Sequence, residues 1–177
     1  IRRILDKKDA ADIPLYNMRT LANIIEDPDA LKPPSPVVDG LAWEGRTTLL
    51  AAREKSGKST LASAMAASVS AGRSFLDEPV LSGDVLYFAL EDHHADVTAR
   101  FISFDADPNR IHLIFSLDNP LVALAQAVQQ ASAVLVIVDT LPALVSDLDL
   151  DPSSSTHWTK IMTALARIAR NSNAALV

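Results

Sequence analysis

Residues 47–60, reading TTLLAAREKSGKST, constrain this chain more than any other stretch. An apolar, strand-like segment over 47–51 runs into a polar loop that closes on Gly57-Lys58-Ser59. From there Leu61, Met65, Ala66 and Val69 recur at helical spacing, and Gly72 stands where a helix stops. Strand, loop, GK[ST] and helix, in that order, are the layout of a phosphate-binding P-loop. The residue types follow from the chemistry. Backbone N–H groups of the loop converge on the β- and γ-phosphates of a nucleotide, and the positive end of the helix adds to them. Lys58 is placed to neutralise the same oxygens, and the Ser59 hydroxyl to hold Mg²⁺. Gly57 lets the backbone approach without a Cβ in the way. The candidate nucleotide-binding set is therefore Ala52, Arg53, Glu54, Lys55, Ser56, Gly57, Lys58, Ser59 and Thr60. The first glycine of GxxxxGK[ST] is Ala52 here, a replacement that some P-loop proteins accept.

The rest of the chain alternates in period. Residues 1–12 are mostly charged, and 17–26 carry Met18, Leu21, Ile24 and Ile25 as a short amphipathic helix that Pro28 ends. Residues 32–36 read as extended linker, so 1–36 form an N-terminal extension and 37–177 the core. After the first core helix, 85–90 read as a fully buried strand. A helix from about 95 turns Val97, Phe101 and Phe104 inward, and 110–116 are a third strand. Asn119-Pro120 is a cap-then-proline helix start, and 134–139 a fourth strand. Residues 145–156 form a polar, acidic loop, followed by a helix marked by Trp158, Ile161, Met162, Leu165 and Ile168. A fifth strand begins at about 174. Apolar strands alternating with helices predict an α/β fold: a parallel sheet covered on both faces, with right-handed crossovers. Ligands of such sheets sit at the C-terminal ends of the strands, and the P-loop, Glu91 and Asp139 each follow a strand.

Two carboxylates complete the candidate chemistry. Asp139 ends an apolar strand and is the expected second Mg²⁺ residue, opposite Ser59. Glu91 is the candidate catalytic acid, because hydrolysis needs a base or water-orienting group near the γ-phosphate. It stands at the end of a strand that is expected beside the P-loop strand, from which a carboxylate can reach that phosphate. The neighbouring Asp92 is the weaker candidate. His93 and His94, without further ligand spacing, read as a solvated turn. Asp147, Asp149 and Asp151 read as a solvated acidic loop rather than a cation cage. Trp158 lies on an apolar stripe and reads as core or interface.

Composition sets the outer bounds. The chain has 177 residues, enough for one sizeable core, and no cysteine, which removes a disulfide framework and thiolate metal sites. A reducing cytoplasm is compatible with that. The longest unbroken apolar run, 133–138, is far too short to span a bilayer, so no membrane association is expected. Net charge is −6, so a polyanion site has to be local. The start at Ile1 and the end inside a strand-like segment read as an excerpt of a longer protein.

The order Gly40-Leu41, Glu44-Gly45-Arg46-Thr47-Thr48-Leu49-Leu50, the P-loop, Ala71-Gly72-Arg73, the stretch from Gly83 to Asp92 and Val138-Asp139-Thr140 resembles the RecA-like ATPases of the AAA_25 type. That group is similar to the hexameric plasmid replicative helicase RepA and occurs in plasmid, phage and mobile-element replication proteins. The resemblance covers about residues 37–177. It implies a RecA-like core that binds and hydrolyses ATP with Mg²⁺. It implies that Lys58 and Ser59 are the Walker A pair, Asp139 the Walker B acid and Glu91 the catalytic glutamate. It also matches Arg100 to an arginine that stacks against adenine. Family members carry a sensor histidine at the end of the fifth strand and then an arginine finger; the sequence here reads as ending inside that strand. The expected function is the motor of a DNA helicase or translocase, one subunit of a hexameric homo-oligomeric ring. A nucleotide-assembled regulatory or scaffolding protein is the alternative. A small-molecule kinase fits less well, because the long loop is acidic where a substrate lid would be basic.

Overall fold

The computed structural model describes residues 18–53, 55–146 and 154–177. The chain divides into two compact units, with the break between Pro33 and Pro34. In the described part of the first unit, helix α1 (Leu21–Ile25) is shorter than the 17–26 its periodicity predicts. The Thr20 hydroxyl accepts from the Asn23 N–H at 3.1 Å and so fixes the start. An ion pair of 2.9 Å joins Arg19 to Asp27, and the hydrogen bond from Arg19 holds the Asp27 carboxyl below its ordinary pKa. The apolar stripe is not buried: Met18, Leu21 and Ile25 are all exposed. Residues 1–12 and Asn17 lie outside the described residues.

The second unit runs from Pro34, and Pro36 already stands in a strand. Strands β1 (Pro36–Val38) and β2 (Ala42–Trp43) pair antiparallel around the turn at Asp39-Gly40, and Val37, Val38 and Ala42 join the core. The main sheet has four parallel strands: β3 (Val85–Ala89), β4 (Ile111–Ile114), β5 (Leu135–Asp139) and β6 (Ala175–Leu176). Their order is β4-β3-β5-β6.

Each strand alternates its side chains between two apolar layers, the consequence of a period of two. Val85, Tyr87, Ala89, Leu135 and Ile137 face one layer with residues of α2 (Lys58–Ala71) and α3 (His94–Ser103). Leu86, Phe88, Val136 and Leu176 face the other, with α4 (Pro120–Ala131) and α6 (Ser155–Ser172). This is an α/β RecA-like P-loop core, a parallel sheet with helices on both faces. A short helix, α5 (Leu141–Leu144), precedes the segment read as loop, α6 already begins at Ser155 inside it, and Asp147, Asp149 and Asp151 lie outside the described residues. Among the described residues no helix is long and apolar enough to cross a membrane.

Three local expectations change. The strand predicted over 47–51 is only a bridge, Thr47 against Leu176, with Thr48 N–H donating to the Leu176 carbonyl at 2.8 Å. That bridge lies against β6, so β5 and β6 stand between the P-loop segment and β3. The expectation that Glu91 follows a strand beside the P-loop strand is therefore corrected. The reason is that β3 spends both of its edges on β4 and β5 and has none left for residues 47–51. Asn119 precedes Pro120 as expected but makes no side-chain cap; with φ at 51°, it leaves the start of α4 to the fixed φ and missing N–H of proline.

Helix α2 ends as predicted at Gly72. Its φ is 66°, and the following Arg73 N–H reaches back to the Ser68 carbonyl at 2.9 Å. A Cβ there would meet Ser82 Oγ at 3.0 Å in addition to the left-handed backbone. Gly72→Ala is expected to lower stability by about 1–2 kcal/mol. The change should appear as a lower urea midpoint with an unaltered slope.

Candidate nucleotide site

The parallel register brings the polar residues to one end of the sheet. Ala89 of β3 lies level with Asp139 of β5, so the residues that follow each strand emerge side by side. The Leu90 N–H donates to the Asp139 carbonyl at 2.9 Å and closes this edge. Glu91 then accepts a hydrogen bond from the Thr140 hydroxyl through Oε1. Glu91 is exposed, whereas Asp139 and Thr140 are buried.

The P-loop arrives at the same edge. Ser56 closes the loop on itself, its hydroxyl donating to the Arg53 carbonyl at 2.7 Å. Gly57 has φ of 88° and open space where a Cβ would stand, a conformation and a clearance that suit close approach of a phosphate. Lys58 and Ser59 open α2, a helix of 14 residues whose first-turn N–H groups point out of its N-terminus. The Ser59 hydroxyl lies 3.0 Å from Asp139 Oδ1, across 80 residues of sequence. A hydroxyl and a carboxylate oxygen held together at a helix N-terminus are the hard-oxygen donor set that Mg²⁺ takes. The residues present therefore fit the cofactor expected of them.

Two cavities flank Lys58. One of about 260 Å³ is mostly apolar and lies under Thr140, Trp158 and Met162, with Asp139 in its wall. The other is an open cleft of about 450 Å³ along the loop, lined by Ala52, Ser56, Gly57, Thr60, Leu61 and Phe104. Of the candidate set, Glu54 lies outside the described residues. Ala52, Arg53, Lys55, Ser56, Gly57 and Thr60 are exposed along the loop and first turn, and Lys58 and Ser59 are half-buried.

Arg100, which the resemblance matches to an adenine-stacking arginine, lies on α3. Its guanidinium pairs with Asp92 at 2.7 Å and reaches Ser63 Oγ at 3.4 Å, and it is not in the wall of the cleft along the loop. Burial by itself would lower its pKa, but the hydrogen bond and charge of Asp92 outweigh that and raise it. A half-buried carboxylate on the β3–α3 turn is stabilised by a cation, and Arg100, two turns along α3, supplies it. The two histidines have structural roles. His93 accepts the Ala95 N–H at 3.2 Å and caps α3, and the His94 ring stacks on Phe115 at 3.8 Å.

Sequence reasoning missed three polar residues here: Tyr87, Ser63 and Thr140. Tyr87 sits in the middle of β3 and donates to Asp139 Oδ2 at 2.8 Å, while Ser63 of α2 donates to the Tyr87 hydroxyl at 3.2 Å. The available signal was a lone hydroxyl in an otherwise hydrocarbon strand, since a buried phenol needs a partner. Burial pushes the Tyr87 hydroxyl well above its ordinary pKa, with the Asp139 charge adding to the rise against the Ser63 hydrogen bond.

A family model described as an AAA domain, AAA_25, matches residues 16–177. The chain belongs to the AAA_25 family. The match begins ahead of the stretch that carried the resemblance and takes in α1 and the proline-rich segment. AAA_25 membership makes the chain a nucleotide-dependent ATPase domain, of a family that generally binds ATP with Mg²⁺. Among curated proteins none matches the chain.

Proposed function

We propose that this AAA_25 domain is the ATP-hydrolysing motor of a RepA-like DNA helicase or translocase that serves replication of a plasmid, phage or mobile element. The observation that carries the hydrolytic part is the convergence of Lys58, Ser59, Asp139 and Glu91 at one sheet edge from three separate elements. Lys58 draws charge from the β- and γ-phosphate oxygens. Ser59 and Asp139 hold Mg²⁺, which when bound neutralises charge on the same oxygens. Glu91, exposed at the rim and fixed by Thr140, accepts the proton of the attacking water or orients it. The helicase part is supported by the run of residues from Gly40 to Thr140 that resembles the RepA-like group.

In this reading the working unit is a homo-oligomeric ring. A head-to-tail interface closes into a ring, and an arginine from the neighbouring subunit completes each site. The uncovered stripe of Met18, Leu21 and Ile25 is a candidate contact in that ring. Single-stranded DNA added to the oligomer is expected to raise the rate of ATP hydrolysis several-fold, and the stimulation should fall as salt rises. A net charge of −6 favours a second reading, in which ATP drives assembly of a scaffold and DNA is not bound. For that protein hydrolysis is indifferent to DNA, while light scattering still shows growth of the oligomer on a non-hydrolysable ATP analogue.

A further inference from the structure

The Asp139 carboxylate is held from two sides. Oδ1 meets the Ser59 hydroxyl at 3.0 Å, and Oδ2 accepts from the Tyr87 hydroxyl at 2.8 Å. The second contact is built with care. Tyr87 is fully buried, and its ring stands edge-on to Phe101 with centroids 5.2 Å apart and planes at 89°. Its oxygen accepts from Ser63 at 3.2 Å, and Ser63 in turn accepts from Arg100, which Asp92 holds at 2.7 Å. With Ser63 donating to it, the phenol's own hydrogen is left for Asp139.

We infer that Tyr87 is a positioning residue of the metal site: its hydroxyl fixes the rotation of the Asp139 carboxylate so that Oδ1 faces Ser59. The physical argument concerns χ2 of Asp139, a broad and soft torsion on which Oδ1 and Oδ2 exchange. An aspartate bonded at one oxygen only is free to swing the other. One bonded at Oδ2 by a buried, immobile donor keeps Oδ1 in place before a cation arrives. Outer partners of metal ligands act in this way, and removing one typically weakens metal binding by about 10- to 100-fold.

The inference rests on the reading of Ser59 and Asp139 as the Mg²⁺ pair, and the experiment separates the two. Thermal stabilisation by a saturating non-hydrolysable ATP analogue is followed as Mn²⁺ is titrated, for wild type, Asp139→Asn, Tyr87→Phe and the double variant. The analogue's own hold on Mn²⁺ is common to every sample and cancels in the comparison. Asp139→Asn should move the Mn²⁺ midpoint upward; if it does not, the metal-site reading itself is wrong. Tyr87→Phe, which keeps the ring against Phe101, should raise the midpoint about tenfold. In the double variant Tyr87→Phe should add nothing to Asp139→Asn, because the two act through one carboxylate. If Asp139→Asn shifts the midpoint and Tyr87→Phe does not, or if the two shifts add in full, Tyr87 is only a satisfied core residue and the inference is overturned. Should Tyr87→Phe fail to fold, Ser63→Ala carries the test. By releasing the phenol to rotate it should shift the midpoint in the same direction by a smaller factor, and an unchanged midpoint overturns the inference.

Discussion

Glu91→Gln is expected to bind ATP about as well as the wild type and to hydrolyse it about a hundredfold more slowly, or worse. The substitution preserves shape and removes the base. Its local structural cost is small, because the amide oxygen of glutamine can still accept from Thr140. Glu91 is exposed, so no core packing depends on it. Loss of turnover with unchanged affinity is the signature of an interaction made in the transition state alone. Phosphate release at saturating ATP and equilibrium titration with a fluorescent ATP analogue measure the two quantities separately. Asp92→Asn is the informative companion. Asp92 is committed to Arg100 at 2.7 Å, so its loss should loosen α3 and lower stability more than it lowers turnover. Full activity in Glu91→Gln together with lost activity in Asp92→Asn would transfer the catalytic role to Asp92.

The parts of the fold that sequence reveals best are those governed by period and by glycine. Val85 to Ala89 and Leu135 to Val138 carry apolar side chains toward both faces because both faces are covered, and such runs are readable as buried parallel strands. Gly72 stops α2 because the chain there needs a left-handed residue, and that also shows in the sequence. Strand order is different in kind. Residues 47–51 look like a strand by composition, but their length of ladder and their neighbour depend on β6, a segment more than a hundred residues away. A pattern read locally carries no information on which edge is free. The same holds at the candidate site. The positions of Lys58, Ser59, Glu91 and Asp139 are readable because each ends or follows a strand or opens a helix, and the sheet brings such ends together. Those of Tyr87 and Ser63 are not, because each lies inside an element and is polar in only one atom. Their significance appears when β3, β5 and α2 are packed and one hydroxyl is found to face one carboxylate. The same packing ties the guanidinium of Arg100 to Asp92, a pairing that no local pattern announces.

Lys58→Ala is expected to abolish stabilisation by ATP while leaving the nucleotide-free protein intact. The expected wild-type signal is large. A ligand at one hundred times its Kd stabilises the folded state by about 2.7 kcal/mol. A domain of this size gains about 2–4 °C per kcal/mol, which makes the shift in Tm roughly 5–10 °C. Lys58 supplies the point charge on the β- and γ-phosphates, and no other residue of the first turn of α2 carries one. Removing it should take the ATP shift to the baseline. The nucleotide-free protein should hold its Tm for two reasons. Lys58 is half-buried and packs no core, and substitutions of that kind usually stay within about 0.5 kcal/mol. Furthermore, a cation at the first position of a helix opposes the helix dipole, so alanine there relieves a repulsion of about 0.3–1 kcal/mol. A nucleotide-free Tm equal to or slightly above the wild type, with the ATP shift gone, therefore isolates phosphate binding from folding. An ATP shift that survives Lys58→Ala would mean that the nucleotide is held elsewhere, and would remove the functional reading of residues 52–60 along with the roles given to Ser59 and Asp139.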